Sequence, residues 1–255
     1  MKTKANPQGG GAASRAQVRL FVESPLAPGA DIGCSKDQAH YLSNVMRLRT
    51  GDAILVFNGR DGEWLAEIGA VRRGACELTA RERLRAQSGG PDFHYLFAPL
   101  KKARLDFMVQ KATELGVAAL RPVMTRRTVA ERVKIERIRA NVIEAAEQCG
   151  LLRIPEIFEP ERLETALAGW APERRLMFAD EVAPIASPLE ALAGIAPGPA
   201  ALLIGPEGGF AEQEREMLLK LPFVTAISLG PRIMRADTAA VAALALMNAV
   251  LGDWR

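Results

Sequence analysis

From Phe93 onward the chain alternates short apolar runs with stretches of helical period, and no other feature limits its fold so strongly. Phe93 to Ala98, Ala119 to Met124, Arg175 to Ala179, Ala200 to Ile204 and Val224 to Leu229 read as strands. Between them, Leu105, Met108, Val109, Ala112 and Leu115 recur at helical spacing and stop at Gly116. Ile138, Val142, Ala145 and Cys149 form one stripe of a helix over Ile135 to Cys149. A last helix is expected from Thr238 to Leu251, with Asp237 or Thr238 as its N-cap. Such alternation implies a parallel sheet covered on both faces. Ala183 to Ala201 reads as a connector holding one short helix.

Two of these strands run into loops rich in glycine and proline. The first is Leu202-Leu203-Ile204-Gly205-Pro206-Glu207-Gly208-Gly209-Phe210; the second is Leu229-Gly230-Pro231-Arg232-Ile233-Met234-Arg235. Both are expected at the carboxyl ends of neighbouring strands, where open α/β sheets bind their ligands. Neither is a dinucleotide fingerprint or a phosphate-binding P-loop, since G-x-G-x-x-G and G-x-x-x-x-G-K-[ST] are both missing there. GPEGG instead exposes backbone amides and carbonyls between apolar Leu203, Ile204 and Phe210, which suits a flat heterocycle gripped by its polar edge. Arg235 stands beside the positive end of the last helix dipole, an unfavourable place for a cation unless it serves an anion or a developing oxyanion.

The front of the chain has a different pattern. Val18 to Val22, Ala53 to Phe57 and Glu63 to Ile68 read as strands, and Asn58 to Gly62 as a hairpin turn. One helix is expected from Asp37 to Leu48, capped by Ser35, with Leu42, Val45 and Met46 on one face. Short strands with one helix suggest a small barrel. Arg85 to Asp92 is polar and Gly-rich, so the domains are divided as 17–88 and 89–255, after a disordered tail over 1–16.

Composition removes several classes of function. Of 255 residues 49% are hydrophobic and 25% charged, a soluble globular balance, and no apolar run reaches the roughly 20 residues of a membrane span. Met1 to Ala16 has no apolar segment and is not a secretory signal, so a cytoplasmic protein is expected. Cys34, Cys76 and Cys149 form no C-x-x-C pair and read as buried free thiols. With His40 and His94 as the only histidines, a metal site or a hydrolytic triad is not expected. His40 either packs within the barrel or faces RNA. Residues 1–88 hold 13 Lys/Arg against 9 Asp/Glu, net +4, whereas 89–255 hold 20 against 21, net −1. The front half is therefore the side that would meet a polyanion.

GPEGGF and LGPRIMRADTAA, preceded by Gln110-Lys111-Ala112-Thr113-Glu114-Leu115-Gly116-Val117 and Glu144-Ala145-Ala146-Glu147-Gln148-Cys149, resemble the RsmE family. These are small-subunit (16S) ribosomal RNA uridine-N3 methyltransferases of the SPOUT superfamily. The resemblance extends forward to Arg19-Leu20-Phe21-Val22, His40-Tyr41-Leu42, Val45-Met46-Arg47-Leu48-Arg49 and Gly51-Asp52. It implies a PUA-like RNA-binding barrel followed by an α/β domain tied in a trefoil knot, a homodimer, and 16S ribosomal RNA within the small subunit as substrate. It also implies S-adenosylmethionine held by Leu203, Ile204, Gly205, Glu207, Gly208 and Gly209 and by Leu229, Gly230, Ile233, Met234 and Arg235. Phe178-Ala179-Asp180-Glu181 takes the place of a further cofactor-side loop. Two positions depart from the family pattern: Ala236-Asp237 stands where R-T-E-T is common, and Leu151-Leu152 follows Gly150 where an arginine is frequent, with Arg153 later.

For methyl transfer to uracil N3, the proton must leave N3 and the charge spreads to the flanking carbonyl oxygens. Arg235 and Arg232 can stabilise that anion, and Glu207, Asp237 or water can take the proton. N3 lies on the Watson–Crick edge, so the base must leave its stack. Arg19, Arg47, Arg49, Arg60, Lys101, Lys102, Arg126 and Arg127 are the candidate phosphate contacts. Ribose 2′-O methylation and a non-catalytic ribosome-assembly role remain open as alternatives.

Overall fold

A computed structural model describes residues 18–72, 74–130, 132–183 and 187–254. The expected tail over 1–16 lies outside them. The chain divides into two compact units after Ser88.

The first unit is a five-stranded sheet in the order β1 (Arg19–Phe21), β3 (Ala53–Phe57), β4 (Glu63–Arg72), β5 (Ala75–Arg85), β2 (Asp31–Gly33). Alternate residues point inward, as the two-residue period of a strand requires: Ile54 and Val56, then Ala66 and Ile68, then Leu78 and Ala80 are fully enclosed. The Asn58–Gly62 turn closes the β3–β4 hairpin, with Asn58 Oδ1 accepting from the amides of Arg60 (3.1 Å) and Asp61 (2.9 Å). Gly62 is required there: its φ is +86°, and a Cβ would lie 2.2 Å from the Arg85 carbonyl oxygen.

The expected helix from Asp37 to Leu48 is shorter and changes pitch. After α1 (Lys36–His40), capped by Ser35, the chain makes a π turn over Tyr41–Val45 and ends with Arg47 at φ +56°. The wider turn rotates later side chains off the buried stripe. Leu42 is buried, but Val45 is 58% and Met46 38% exposed, so the three do not share one face. His40 is exposed and hydrogen bonds Asn44, which excludes packing inside the sheet. Of the cysteines only Cys76 is buried; Cys34 is half-buried and Cys149 exposed, because Cys149 ends its helix beside Gly150.

The second unit is a parallel sheet in the order β12 (Val224–Ile227), β10 (Arg175–Ala179), β11 (Ala200–Ile204), β6 (Phe93–Phe97), β7 (Ala119–Met124), β8 (Glu156–Ile157), with β9 (Glu161–Arg162) also pairing with β7. Every pair is parallel. Both faces are covered. Tyr95, Phe97, Leu202 and Ile204 pack with α2 (Lys102–Glu114), α3 (Ile135–Cys149) and α7 (Ala236–Val250). Leu96, Phe178, Ala201 and Leu203 face the other way, toward α4 (Leu163–Ala168) and Leu218 of α6 (Glu212–Leu219). Removing one such side chain, as in Leu202→Ala, costs about 2–5 kcal/mol.

Three expectations change here. The connector's short helix is α5 (Pro188–Ala193), whereas α4, β8 and β9 had no sequence counterpart. The last helix starts two residues early, with Arg235 at its N-cap and Asp237 in its first turn. Asp237 Oδ1 accepts from the Thr238 amide beside it (2.9 Å), so neither residue caps the helix. Finally, β11 and β12 are not neighbours. The connection through α6 crosses β10, and that strand lies between them.

Candidate active site

The carboxyl ends of β10, β11 and β12 surround one cleft of about 220 Å³ in the second unit. The β11 loop supplies Ile204, Gly205, Pro206, Glu207, Gly209 and Phe210. Leu229, Gly230, Pro231, Arg232, Ile233 and Met234 come from the β12 loop. Because β10 separates the two strands, its own loop, Asp180-Glu181-Val182, forms a third wall. The two glycine loops thus meet across a cleft rather than along one strand edge.

Each loop is held by short-range bonds. Gly209, at φ +68°, donates its amide to Pro206 O (2.9 Å), which turns GPEGG back on itself. A Cβ on Gly209 would lie 2.8 Å from Glu181 Oε1. In the second loop Gly230, at φ +101°, donates to Ser228 Oγ (3.2 Å). Phe210 folds back over Gly205 and meets Phe178 edge-on at 5.0 Å. Ile204, Phe210, Ile227, Leu229 and Met234 give the cleft apolar walls.

The polar groups are arranged by sign. Asp180 is 5% exposed; its Oδ2 accepts from Arg215 Nε (3.0 Å) and its Oδ1 from the Val182 amide (3.1 Å). Glu207 faces Arg104 Nη1 of α2 at 3.4 Å, so this candidate proton acceptor already has a cationic partner. Among the described residues no carboxylate pairs with Arg232 or Arg235. Both are exposed, Arg232 on the cleft wall and Arg235 at the N-terminus of α7.

Not every expected cofactor residue lines the cleft. Leu203 points to the opposite sheet face and is fully buried with Phe178 and Leu218, as strand alternation requires. Gly208 faces outward, its carbonyl accepting from Arg127 Nη1 (2.8 Å). Arg235 borders the cleft without lining it. Sequence reasoning missed Arg215, Arg104 and Glu214. Glu214, in the first turn of α6, leaves a faint trace as an acidic residue three places after Ala211.

The candidate phosphate contacts fall on both units. Arg47, Arg49, Lys101, Lys102 and Arg126 are exposed. Arg60 is held by Glu23 O (2.8 Å) and Asp61 (3.7 Å). Arg19 is not a surface cation: it pairs with buried Glu63 at 2.7 Å and stacks over Phe57 at 4.4 Å. Arg153 also works inside the fold, donating to Pro91 O (2.8 Å) and Gly116 O (3.0 Å). Among the described residues no cluster of His, Cys, Asp and Glu is gathered to hold a metal, and no helix is long and apolar enough to cross a membrane.

The family model of the RNA methyltransferase domain matches residues 89–248, the unit whose parallel sheet carries the two glycine loops at its carboxyl edge. An RNA methyltransferase PUA domain matches residues 35–80. The chain is 31% identical to ribosomal RNA small subunit methyltransferase E of Rickettsia conorii over 89% of this chain and 93% of that protein. It is 30% identical to the Bacillus subtilis protein of the same name, over 90% and 95% of the two chains. Two solved structures superpose with a TM-score of 0.82. One is ribosomal RNA small subunit methyltransferase E from Neisseria gonorrhoeae bound to S-adenosyl methionine, at 25% identity over 93% of this chain and 99% of that one. The other is Lpg2936 from Legionella pneumophila in complex with the bound cofactor SAM, at 28% identity over 94% and 99%. This chain belongs to the RNA methyltransferase family that includes the ribosomal RNA small subunit methyltransferase E proteins.

Proposed function

We propose that the protein methylates N3 of a uridine in 16S ribosomal RNA, using S-adenosylmethionine held in the cleft between the two glycine loops. The observation that carries this reading is the pairing of an apolar, glycine-floored cleft with two exposed arginines on its β12 side. The two glycines let the walls close on the loop: a Cβ at Gly205 would stand 2.5 Å from the Phe210 ring, and one at Gly209 would stand 2.8 Å from Glu181 Oε1. Ile204, Leu229 and Met234 suit an adenine ring, while backbone amides and carbonyls of both loops suit its polar edge.

Bound S-adenosylmethionine supplies an activated sulfonium methyl group. The chain's own residues then have two tasks, alignment and charge. Arg235, with Arg232 beside it, steadies the negative charge that spreads over N3 and the flanking carbonyl oxygens once the N3 proton leaves. The N-terminus of α7 reinforces that field. The proton goes to water, Asp237 or Glu207, the last of which already faces Arg104.

In the same reading residues 17–88 form the RNA-gripping PUA-like domain and 89–255 the knotted catalytic domain. Arg47, Arg49, Arg60, Lys101, Lys102 and Arg126 contact phosphates, and the enzyme works in the cytoplasm as a homodimer on the small subunit. Calorimetry with S-adenosylmethionine tests the binding half of this proposal. Nucleoside mass spectrometry of 16S RNA from a deletion strain, with and without the restored gene, tests the chemistry. Loss and return of 3-methyluridine supports it; a change confined to a 2′-O-methylated nucleoside favours ribose methylation instead.

A further inference from the structure

The GPEGG cradle is braced from outside by the turn that follows β7, of which the proposed function uses only Arg126. After β7 the chain makes a tight turn in which the Thr125 amide donates to Thr128 Oγ1 (2.9 Å) and the Thr128 amide to Thr125 O (3.1 Å). A further hydroxyl–hydroxyl bond of 2.9 Å joins the two threonines. This turn presents Arg127 toward the first glycine loop and Arg126 toward α6. Arg127 Nη1 donates to Gly208 O at 2.8 Å, and the Arg127 stem lies over Gly208, its Cδ 3.7 Å from where a Cβ would stand.

The same turn is anchored by a buried carboxylate. Glu214 is 2% exposed, and its two oxygens serve two backbone donors, one 88 residues away and one at the N-cap of its own helix. Oε1 accepts from the Arg126 amide (2.8 Å) and Oε2 from the Ala211 amide (2.9 Å), immediately after Phe210. Arg126 adds an Nη1 bond to Gln213 (2.6 Å). A carboxylate so enclosed is tolerated only when both oxygens are satisfied, so its removal frees two amides together. The cradle is thereby gripped at Gly208 by Arg127 and just beyond Phe210 by Glu214.

We propose that Arg127 and Glu214 are positioning residues that hold Gly205–Gly209 in its cofactor-receiving shape, and that Arg127 acts through the Gly208 carbonyl rather than on RNA phosphate. This rests on the cofactor site proposed above. The two roles of Arg127 predict opposite measurements: a cradle brace moves affinity for S-adenosylmethionine, whereas a phosphate contact moves affinity for RNA and its salt dependence.

The test is calorimetry with S-adenosylmethionine and RNA titration across a salt series, on the full chain and on Arg127→Met, Arg127→Lys and Glu214→Gln. Arg127→Met is expected to weaken the cofactor about tenfold, the loss of one charge-assisted hydrogen bond, with RNA affinity and salt slope unchanged. Arg127→Lys should recover part of that loss. Glu214→Gln turns an amide donor toward one backbone N–H and should raise KM for the cofactor with a smaller effect on kcat. Unaltered cofactor affinity in Arg127→Met, with a salt slope reduced by about 1, would overturn the proposal and return Arg127 to the phosphate contacts. Arg127 is exposed, so the test survives if Glu214→Gln fails to fold. Failure of the unmodified chain to bind S-adenosylmethionine would instead refute the underlying cofactor site.

Discussion

Gly205 lies so close under the ring of Phe210 that a Cβ on it would stand 2.5 Å from Cε2. That ring is in turn fixed edge-on against Phe178, which is fully buried in the sheet. One missing methyl group therefore lets an aromatic wall of the cleft sit directly on the strand end. Gly205→Ala must push the ring outward into the space of the cleft. It is expected to cost roughly 1–3 kcal/mol of stability and to abolish measurable cofactor binding. Chemical denaturation alongside calorimetry checks both effects; unchanged affinity would mean that Phe210 is not a wall of the cofactor site.

Arg235 borders the cleft at the start of α7 without lining it, a position suited to the second substrate. Arg235→Ala should lower kcat about 10²–10³-fold while leaving affinity for S-adenosylmethionine within a factor of about three. Single-turnover assays with saturating cofactor and RNA make the comparison. A loss carried only by cofactor affinity would assign Arg235 to cofactor binding instead.

Arg19 carries structure rather than RNA. It satisfies Glu63, a carboxylate only 4% exposed, with Arg85 more distant at 3.5 Å. Arg19→Ala should destabilise the first unit by roughly 3 kcal/mol, because it strips a buried charge of its nearer partner. Urea unfolding checks this. Stability unchanged together with weakened RNA binding would restore Arg19 to the RNA surface.

Much of this architecture was legible from local pattern, because β11 is an apolar run that stops at Gly205, and β12 ends at Ile227, just before the loop that Gly230 turns. Their separation by β10 was not, since strand order is fixed by how α6 crosses the sheet and leaves no local signature. The π turn after His40 is equally silent: Leu42, Val45 and Met46 fit a regular helix, and only packing shows the change of pitch. Glu214 was hidden for another reason. Its partner amide on Arg126 is 88 residues away, so its sequence neighbourhood shows no more than an ordinary acidic first turn. Leu203 shows the converse, a motif residue whose place in the strand turns it into core.

His94 adds a pH dependence at the amino edge of the second sheet. Burial, with Arg174, Arg121 and Arg153 nearby, pushes its imidazole down from 6.5 to about 4, against the opposing pull of Asp92. The unfolded chain therefore binds a proton between those values that the folded chain does not. Stability from this group is complete above pH 6.5 and is lost as pH falls toward 4. Asp92, held low by Arg174, loses its contribution in the same direction at lower pH. Thermal unfolding from pH 7 to 4 should show Tm falling more steeply in the native chain than in His94→Phe; parallel curves would show that His94 stays accessible to protons.

The most direct measurement follows the methyl group itself. Incubating the protein with small ribosomal subunits and S-adenosylmethionine bearing a deuterated methyl, then digesting the 16S RNA to nucleosides, locates the transferred group by mass. Label is expected in 3-methyluridine, and none when Gly205→Ala replaces the native chain. Label on ribose 2′-oxygen, or none with the native chain on competent subunits, would contradict N3 methylation.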